Sequence, residues 1–127
     1  MAQQYGAQEL EYCICLKSDP TVAIGGIGAC WRSRPHGTME LGYALRRSRW
    51  GSGFMPEAGR SLVRHAFEST DVMRIFALIV RENTPSRRAV EKMGLTFEGV
   101  LRSAVRRRRR RWDQAIYAIL RGDVPRE

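Results

Sequence analysis

A short glycine loop between a strand-like segment and a helix-like segment is the feature that most constrains this chain. Residues 39–45 read as a strand, residues 49–54 form the loop, with glycines at Gly51 and Gly53, and a helix follows directly. Glycines let backbone approach a ligand closely, and a helix N-terminus presents free N–H groups. The arrangement suits a phosphate or pyrophosphate, although a tight turn between strand and helix would use the same residues.

The loop matches neither of two common phosphate-binding motifs. No Gly-Lys-Ser/Thr follows it, which excludes a Walker A loop. Pro56 occupies the place of the third glycine in the dinucleotide-binding motif G-x-G-x-x-G. On these residues alone, the choice between a simple turn and an anion site stays open.

The apolar pattern around the loop predicts the element order β-β-β-loop-α-β-α-β-β. The predicted strands are residues 9–16, 22–31, 39–45, 74–80, 96–105 and 114–120, and the first two turns are Asp19-Pro20 and residues 32–37. Because this order mixes hairpin and crossover connections, it predicts an α+β fold. The length of 127 residues predicts one domain, residues 1–127.

Two helices follow from apolar spacing and from start and stop residues. The first has one apolar stripe, formed by Ala58, Leu62, Val63, Ala66 and Phe67. The second starts at Asn83-Thr84-Pro85, ends before Gly94 and turns Ala89, Val90 and Met93 inward. Both helices are therefore expected to pack one face on the sheet.

The positive charge of the chain is concentrated in one place. There are 22 basic and 13 acidic residues, a net charge of +9, and six of the arginines form the run 106–111. Without this run the charge is only +3, which excludes a uniformly cationic protein of the histone type. The run itself is consistent with a solvated loop or with electrostatic binding to RNA, DNA or an acidic protein surface.

Cysteine, histidine and hydropathy patterns predict a cytoplasmic protein without metal, disulfide framework or membrane segment. Cys13, Cys15 and Cys30 are too few for a disulfide framework and are expected to be buried, reduced thiols. His36 lies in a turn-like segment and His65 on the polar face of a predicted helix, so no metal site is predicted. No secretory signal and no apolar run of about 20 residues is present.

Two motifs, in a fixed order, resemble a known family. The first comprises Glu40-Leu41-Gly42-Tyr43 and Trp50-Gly51-Ser52-Gly53-Phe54-Met55-Pro56-Glu57-Ala58; the second comprises Glu82-Asn83-Thr84-Pro85-Ser86, Lys92-Met93-Gly94-Leu95 and Glu98-Gly99-Val100-Leu101-Arg102. Together they resemble the GNAT acetyltransferases, and within them the ribosomal-protein-alanine N-acetyltransferases. The resemblance runs from about residue 9 to the C-terminus.

The resemblance implies a fold and a reaction. The fold is the GNAT acyl-CoA N-acyltransferase fold, with a mixed, mostly antiparallel central sheet and flanking helices. The reaction is transfer of an acetyl group from acetyl-CoA to a primary amine, on a protein N-terminus or a small molecule, by direct attack. A backbone N–H of the strand before the loop would stabilise the oxyanion.

The resemblance also implies roles for particular residues. The residues expected to bind acetyl-CoA are Tyr43, Ala44 and Leu45 at the pantetheine arm, the amides of Gly51, Ser52, Gly53, Phe54 and Met55 at the pyrophosphate, and Asn83 and Ser86 near the pantetheine and thiol. Ser86 would stabilise or reprotonate the departing thiolate, or would simply start a helix. Glu40 is the candidate base, or else a solvated or ion-paired strand carboxylate.

Three departures from the family pattern keep a second hypothesis open. Pro56 replaces a threonine, Val105 stands where related enzymes place a glutamate base, and the chain is expected to lack the family's first strand and two helices. The second hypothesis is a weak or inactive GNAT-like module that contacts acidic partners or nucleic acid, without sequence specificity, through the hairpin of residues 106–111. A homodimer is a further expectation.

Overall fold

A computed structural model of the chain describes residues 2–4, 10–15, 23–45, 51 and 53–124, and the side chains of 25–44, 51 and 53–124. Its strands are β1 (Ala2–Gln4), β2 (Leu10–Cys15), β3 (Ala23–Ser33), β4 (Thr38–Leu45), β5 (Arg74–Val80), β6 (Thr96–Arg107) and β7 (Arg110–Leu120). Its helices are α1 (Phe54–Ser69) and α2 (Thr84–Lys92), and a 3-10 turn spans Arg121–Asp123.

The strands form one seven-stranded sheet in the order β1-β2-β3-β4-β5-β7-β6. All neighbouring pairs are antiparallel except β4 and β5, which are parallel and are connected through α1. This topology confirms the predicted α+β class with a mixed, mostly antiparallel sheet. The short strand β1 was not predicted, because its polar residues show no strand pattern.

The hydrophobic core lies between one face of the sheet and the two helices. Residues alternate along a strand, so the residues that reach the core recur at every second position. On β5 this alternation gives buried Ile75, Ala77 and Ile79, and on β7 it gives buried Tyr117 and Ile119. The predicted stripe of α1 faces them, because all five of its apolar residues are buried.

The two helices approach each other closely at one glycine. A Cβ atom added at Gly59 of α1 would lie 2.2 Å from the Met93 sulfur, just past the end of α2. Because real side chains never come so close, only glycine fits at position 59 without displacing Met93. This contact fixes where the end of α2, and hence the rest of that helix, lies against α1.

The C-terminal end of α1 is held by an arginine from the other end of the chain. Arg121 donates Nη1 to the carbonyl of Phe67, Nη2 to that of Thr70 and Nε to that of Val72, at 2.7 to 2.9 Å. Helix ends leave carbonyl groups without helical partners, and a cationic side chain there is favourable. Residue 121 therefore connects the end of β7 with the α1–β5 connection.

Several element boundaries differ from the predicted ones. β3 continues to Ser33, so the turn is confined to residues 34–37, and α1 already begins at Phe54, which was assigned to the loop. β6 and β7 extend into the arginine run, which leaves only residues 108 and 109 as the turn. An unbroken run of one residue type has no periodicity, so the pattern could not place these strand ends.

The structure tests only some of the cysteine and histidine predictions. Cys30 on β3 is not in a disulfide, as predicted, but it is half-buried where a buried thiol was expected. The side chains of Cys13 and Cys15, and the turn at Asp19-Pro20, lie outside the described residues. Among the residues that are described, no cluster of three potential metal ligands occurs. No helix there is long and apolar enough to cross a membrane.

Candidate active site

Strands β4 and β5 separate shortly after they begin, and the candidate site lies at this separation. They pair over only three positions, from Thr38 opposite Arg74 to Glu40 opposite Phe76. The next part of β4 remains paired with β3, while β5 remains paired with β7 over its full length. Within the described residues, the β4 edge from position 41 to 45 thus has no partner strand on the β5 side, and Gly42 and Ala44 are exposed.

The helix that follows β4 in the chain is preceded by two left-handed glycines and has no side-chain cap. Gly51 and Gly53 have φ angles of +76° and +79°, a left-handed conformation that favours glycine. Gly53 is the N-cap residue of α1 and provides no side-chain hydrogen bond to it. Because the first N–H groups of a helix lack helical acceptors, those of Phe54 and Met55 need a partner from outside the helix. Ser52 lies outside the described residues.

Pro56 changes the number of these donors. It is the third residue of α1, where its ring is tolerated but where it contributes no N–H group. The departure from the family pattern noted in the sequence thus removes one possible backbone donor and leaves the two before it.

The start of α2 brings two of the predicted site residues together. Asn83 is its N-cap, and the Asn83 side-chain oxygen accepts a hydrogen bond from the Ser86 backbone N–H at 3.2 Å. Ser86 therefore lies in the first turn of α2, and Asn83 is the residue that caps the helix. The Ser86 side chain does not cap the helix, because its hydroxyl group contacts strand β4.

A pair of hydroxyl groups connects β4 with α2 across the core side of the gap. The Tyr43 hydroxyl lies 3.0 Å from the Ser86 carbonyl oxygen and forms a short hydrogen bond with the Ser86 hydroxyl. Because Tyr43 has one proton to donate, the Ser86 hydroxyl is the donor to Tyr43 whenever Tyr43 donates to the carbonyl. Burial raises the pKa of Tyr43 above its ordinary value of 10.0, and the Ser86 hydrogen bond lowers it by less. Tyr43 thus stays protonated at neutral pH.

Glu40 lies on the opposite face of the sheet from Tyr43 and Ser86. It is the last β4 residue paired with β5, so it marks the base of the gap. Its carboxylate accepts a hydrogen bond from Arg32 Nε at 2.7 Å, and its side chain is 25% exposed. The structure therefore shows the ion pair that was considered as an alternative, and does not bring Glu40 and Ser86 together.

The remaining predicted positions are placed as follows. Ala44 lies in the exposed edge of β4, and the backbone of Leu45 ends that strand, although its side chain lies outside the described part. Val105 on β6 is half-buried and pairs with Trp112 of β7, so no carboxylate occupies that position.

A cleft at the end of β5 was not anticipated from the sequence. Its volume is about 500 Å³, and Arg81, Arg87, Arg110, Trp112 and Asp113 are among its lining residues. The backbone N–H of Arg81 donates to the Asp113 carbonyl at 2.9 Å, which joins the β5–α2 turn to β7. These residues come from three separate segments, so only the arginine run gave a sequence signal, and it did not indicate a cleft.

Comparison with known proteins gives consistent results. Residues 1–96 match the family model for the acetyltransferase (GNAT) domain. An uncharacterized N-acetyltransferase p20 from Bacillus licheniformis is 32% identical over 114 residues, which are 90% of this chain and 64% of that protein. These two matches concern most of the chain, including the strand, the loop and α1.

Two solved structures share the fold. The ribosomal-protein-S5-alanine acetyltransferase from Vibrio fischeri aligns with a TM-score of 0.83 at 20% identity, over 91% of this chain and 63% of its own. The microcin C7 self-immunity acetyltransferase MccE, solved in complex with acetyl-CoA and AMP, aligns with a TM-score of 0.79 at 25% identity, over 89% and 61%. The chain spans less than two thirds of the length of each of these relatives.

Three observations concern the same segment of the chain. They are the parallel β4–β5 pair that opens into a gap, the glycine loop before an uncapped helix, and the match of the family model. GNAT acetyltransferases use acetyl-CoA as the acyl donor, and one of the two structures above contains it. On this evidence the chain belongs to the GNAT acetyltransferase family.

Proposed function

We propose that this protein is an acetyl-CoA-dependent N-acetyltransferase that acetylates a primary amine. The observation that supports this most strongly is the separation of β4 from β5 after Glu40, which leaves backbone groups of β4 without a partner strand on that side. Unpaired backbone groups of a strand can pair with an extended, amide-containing ligand instead. The pantetheine arm of acetyl-CoA has this chemistry.

The residues around the gap fit the other end of acetyl-CoA as well. Its pyrophosphate is densely negative, and the N–H groups of Phe54 and Met55 lie at the positive end of α1. The exposed Gly53 has no atom within 4 Å of the place where a Cβ would be, so its surroundings are open. When bound, acetyl-CoA supplies the thioester from which the acetyl group is transferred.

The hydroxyl groups of Tyr43 and Ser86 would together supply the proton that the thiol needs. In the reaction the amine nitrogen forms a C–N bond, the C–S bond breaks, and the departing sulfur needs a proton at neutral pH. The Ser86 hydroxyl can donate that proton while it takes up the one from Tyr43, and the proton that the nitrogen loses as the amide forms then restores Tyr43 through solvent. Free N–H groups of the β4 edge would donate to the oxygen that becomes negative.

The amine must lose a proton before it attacks, and Glu40 is the candidate acceptor of that proton. The Glu40 carboxylate lies at the base of the gap and is held in place by Arg32. One of its oxygens accepts the Arg32 hydrogen bond, and a carboxylate has further lone pairs for an amine or a bridging water. Direct attack of the amine then requires no covalent enzyme intermediate.

Titration with acetyl-CoA, followed by turnover with a panel of primary amines, tests the proposal. Saturable binding in the micromolar range and release of free thiol on addition of an amine are expected. Ser86→Ala should keep acetyl-CoA binding and reduce kcat by roughly 100-fold, a typical effect of removing a proton donor. Ser61→Ala, an exposed serine on α1, is the matched control and should leave both quantities unchanged.

Two results would contradict this function. Absence of acetyl-CoA binding at high micromolar concentration would exclude the donor site and leave a non-catalytic module. Binding without thiol release from any amine tested, in the presence of an intact fold, would exclude the transfer reaction. Equal kcat values for Ser86→Ala and the unmodified protein would remove only the role assigned to Ser86.

A further inference from the structure

The cleft at the end of β5 is built from three segments that converge beside the proposed site. Arg81 follows β5, Arg87 lies in the first turns of α2, and Arg110 begins β7. Asn83 and Ser86 lie in the same short segment of the chain as Arg81 and Arg87. A molecule in this cleft would therefore contact the segment that also holds the proposed proton donor.

The charge of the cleft is positive. Four arginines line it, with two carboxylates, those of Glu82 and Asp113, so two positive charges are in excess. The exposed residues 106–109 at the adjacent hairpin add four more arginines close by. An ammonium group or a polyamine would be repelled here, whereas an anion would be attracted.

The two carboxylates pair only loosely with the arginines. Arg81 Nη1 lies 3.6 Å from Asp113 Oδ2, and Arg110 Nη2 lies 3.6 Å from Glu82 Oε2. Charge-assisted hydrogen bonds are normally about 2.7–2.9 Å long, so these pairs do not saturate the guanidinium donors. The Arg81 and Arg110 side chains are 56% and 62% exposed, which leaves their N–H groups accessible from solvent.

The wall of the cleft is held in a defined position. The Arg110 guanidinium stacks over the Trp112 ring at 3.7 Å from its centroid, and the Trp112 indole N–H donates to the Arg107 carbonyl at 3.3 Å. On the α2 side, Arg87 donates Nε to the Tyr117 hydroxyl and Nη1 to the Arg81 carbonyl, at 2.9 and 3.1 Å. These contacts orient the guanidinium planes, which suits forked recognition of a planar or tetrahedral anion.

We propose that this cleft selects amine acceptors that bear an anionic group, a phosphate or a carboxylate, near the amine. This inference rests on the proposed function, because it names the class of acceptor for the same site. Arg81 and Arg110 would bind the anionic group, and Trp112 would support Arg110. The amine would then point from the cleft toward the gap between β4 and β5, where the thioester is proposed to bind.

Matched amines test this selectivity. The amines are phosphoethanolamine, which has a phosphate, β-alanine, which has a carboxylate, ethanolamine, which has no anionic group, and spermidine, which is a polycation. With saturating acetyl-CoA, kcat/KM is expected to be roughly 10- to 100-fold higher for the better of the two anionic amines than for ethanolamine. Comparison of phosphoethanolamine with β-alanine decides between phosphate and carboxylate.

Variants locate the selectivity in the cleft. Arg110→Gln should remove most of the preference through a higher KM for the anionic amine, with KM for acetyl-CoA unchanged, and Arg110→Lys should restore part of it. Arg81→Gln should act in the same direction. Arg102→Gln removes one exposed arginine of β6 that does not line the cleft and should have little effect. Unchanged thermal melting of each variant excludes misfolding as the cause.

Several outcomes would overturn the inference without touching the proposed function. Equal kcat/KM for ethanolamine and both anionic amines, or a preference for spermidine, would do so. A rise in KM for acetyl-CoA in Arg110→Gln, absent with 3′-dephospho-acetyl-CoA, would assign the cleft to the donor. Binding of a single-stranded oligonucleotide that Arg110→Gln weakens, with no acceptor preference, would assign it to nucleic acid.

Failure of the proposed function has a different signature. If acetyl-CoA does not bind, or no amine is acetylated, the transfer reaction is absent whatever the cleft does. The cleft is then tested by calorimetric titration with phosphoethanolamine and β-alanine. Saturable binding of at least one, weakened roughly tenfold by Arg110→Gln but not by Arg102→Gln, would support anion recognition. No binding of either at high millimolar concentration would overturn it.

Discussion

The glycine loop before α1 and the arginine hairpin between β6 and β7 both contain two residues in left-handed conformation, yet they use it in opposite ways. In the loop these residues are Gly51 and Gly53, which lack side chains and leave backbone N–H groups open. In the hairpin they are Arg108 and Arg109, with φ angles of +51° and +62°, whose side chains extend into solvent.

The comparison shows two ways to attract a negative charge. Backbone amides at a helix start hold an anion at a fixed distance and orientation, because neither the amides nor the helix can move freely. Long exposed arginines supply charge with little geometric constraint, and salt screens them. Within one chain, we therefore expect the loop to give tight, oriented binding and the hairpin alone to give weak, salt-sensitive attraction.

The largest expected effect is at the loop. Gly53→Asp places a carboxylate at the N-terminus of α1, where the pyrophosphate of acetyl-CoA would bind, and should weaken acetyl-CoA binding by about 100-fold or more, since like charges placed together cost several kcal/mol. Gly53→Asn is the matched control, because asparagine has the same shape and also tolerates positive φ. Calorimetric titration of both variants measures the difference. Equal affinities for the two would refute the assignment of the loop to an anion.

A smaller effect is expected at the hairpin turn. Left-handed backbone costs about 1–2 kcal/mol for an ordinary residue, and two-residue hairpin turns favour Asn-Gly. The double change Arg108→Asn and Arg109→Gly should therefore increase the free energy of unfolding by about 1–2 kcal/mol, with acetyl-CoA affinity unchanged. Urea denaturation is the measurement.

The control for this change removes the same charge without altering the turn. Arg106→Gln and Arg107→Gln lie in β6, where the backbone is extended, and should give a much smaller gain. If both double variants stabilise equally, then relief of charge repulsion, not backbone conformation, explains the effect. The left-handed conformation would then not be what limits the stability of the hairpin.

The smallest effect concerns pH. The group concerned is Tyr43 on β4, the strand that precedes the glycine loop. Burial raises its pKa, so the folded state retains the proton when the unfolded chain begins to lose it near pH 10. The stabilisation from this proton is complete below pH 10 and is lost as pH rises through the folded-state pKa.

Tyr43→Phe removes this titration together with the hydrogen bonds to Ser86. At pH 7 the variant should be less stable by about 1 kcal/mol, the usual net value of a hydrogen bond. Above pH 10 the difference from the unmodified protein should become smaller. Urea denaturation at pH 7 and pH 11 checks this, and a difference that grows with pH would show that the sign is wrong.

Sequence patterns predicted the local elements better than the contacts between them. The stripe of α1 and the apolar run of β5 were predicted because their burial follows a regular period. The hydrogen bonds between Tyr43 and Ser86 join residues 43 positions apart, and periodicity contains no information on such pairs. The ion pair of Arg81 with Asp113 escaped prediction for the same reason.

The site therefore divides into a predictable and an unpredictable part. The glycine loop and the start of α2 could be predicted as local structure, because residue types there are fixed by backbone conformation and capping. Their roles in binding acetyl-CoA came only from the family resemblance and stay a prediction. The pairing of Glu40 with Arg32 could be anticipated only as one of two alternatives, since it depends on the register of β3 and β4. The cleft depends on how three segments converge, and that is decided by tertiary packing.

The position of β7 has a consequence for how the protein folds during synthesis. This strand is made after β6 yet lies between β5 and β6, and it contributes the fully buried Tyr117 to the core. Until residues 110–120 have left the ribosome, β5 presents an unpaired apolar edge and β6 has no neighbour to join. A chain that lacks β7 would expose strand edges of this kind, which are prone to aggregation.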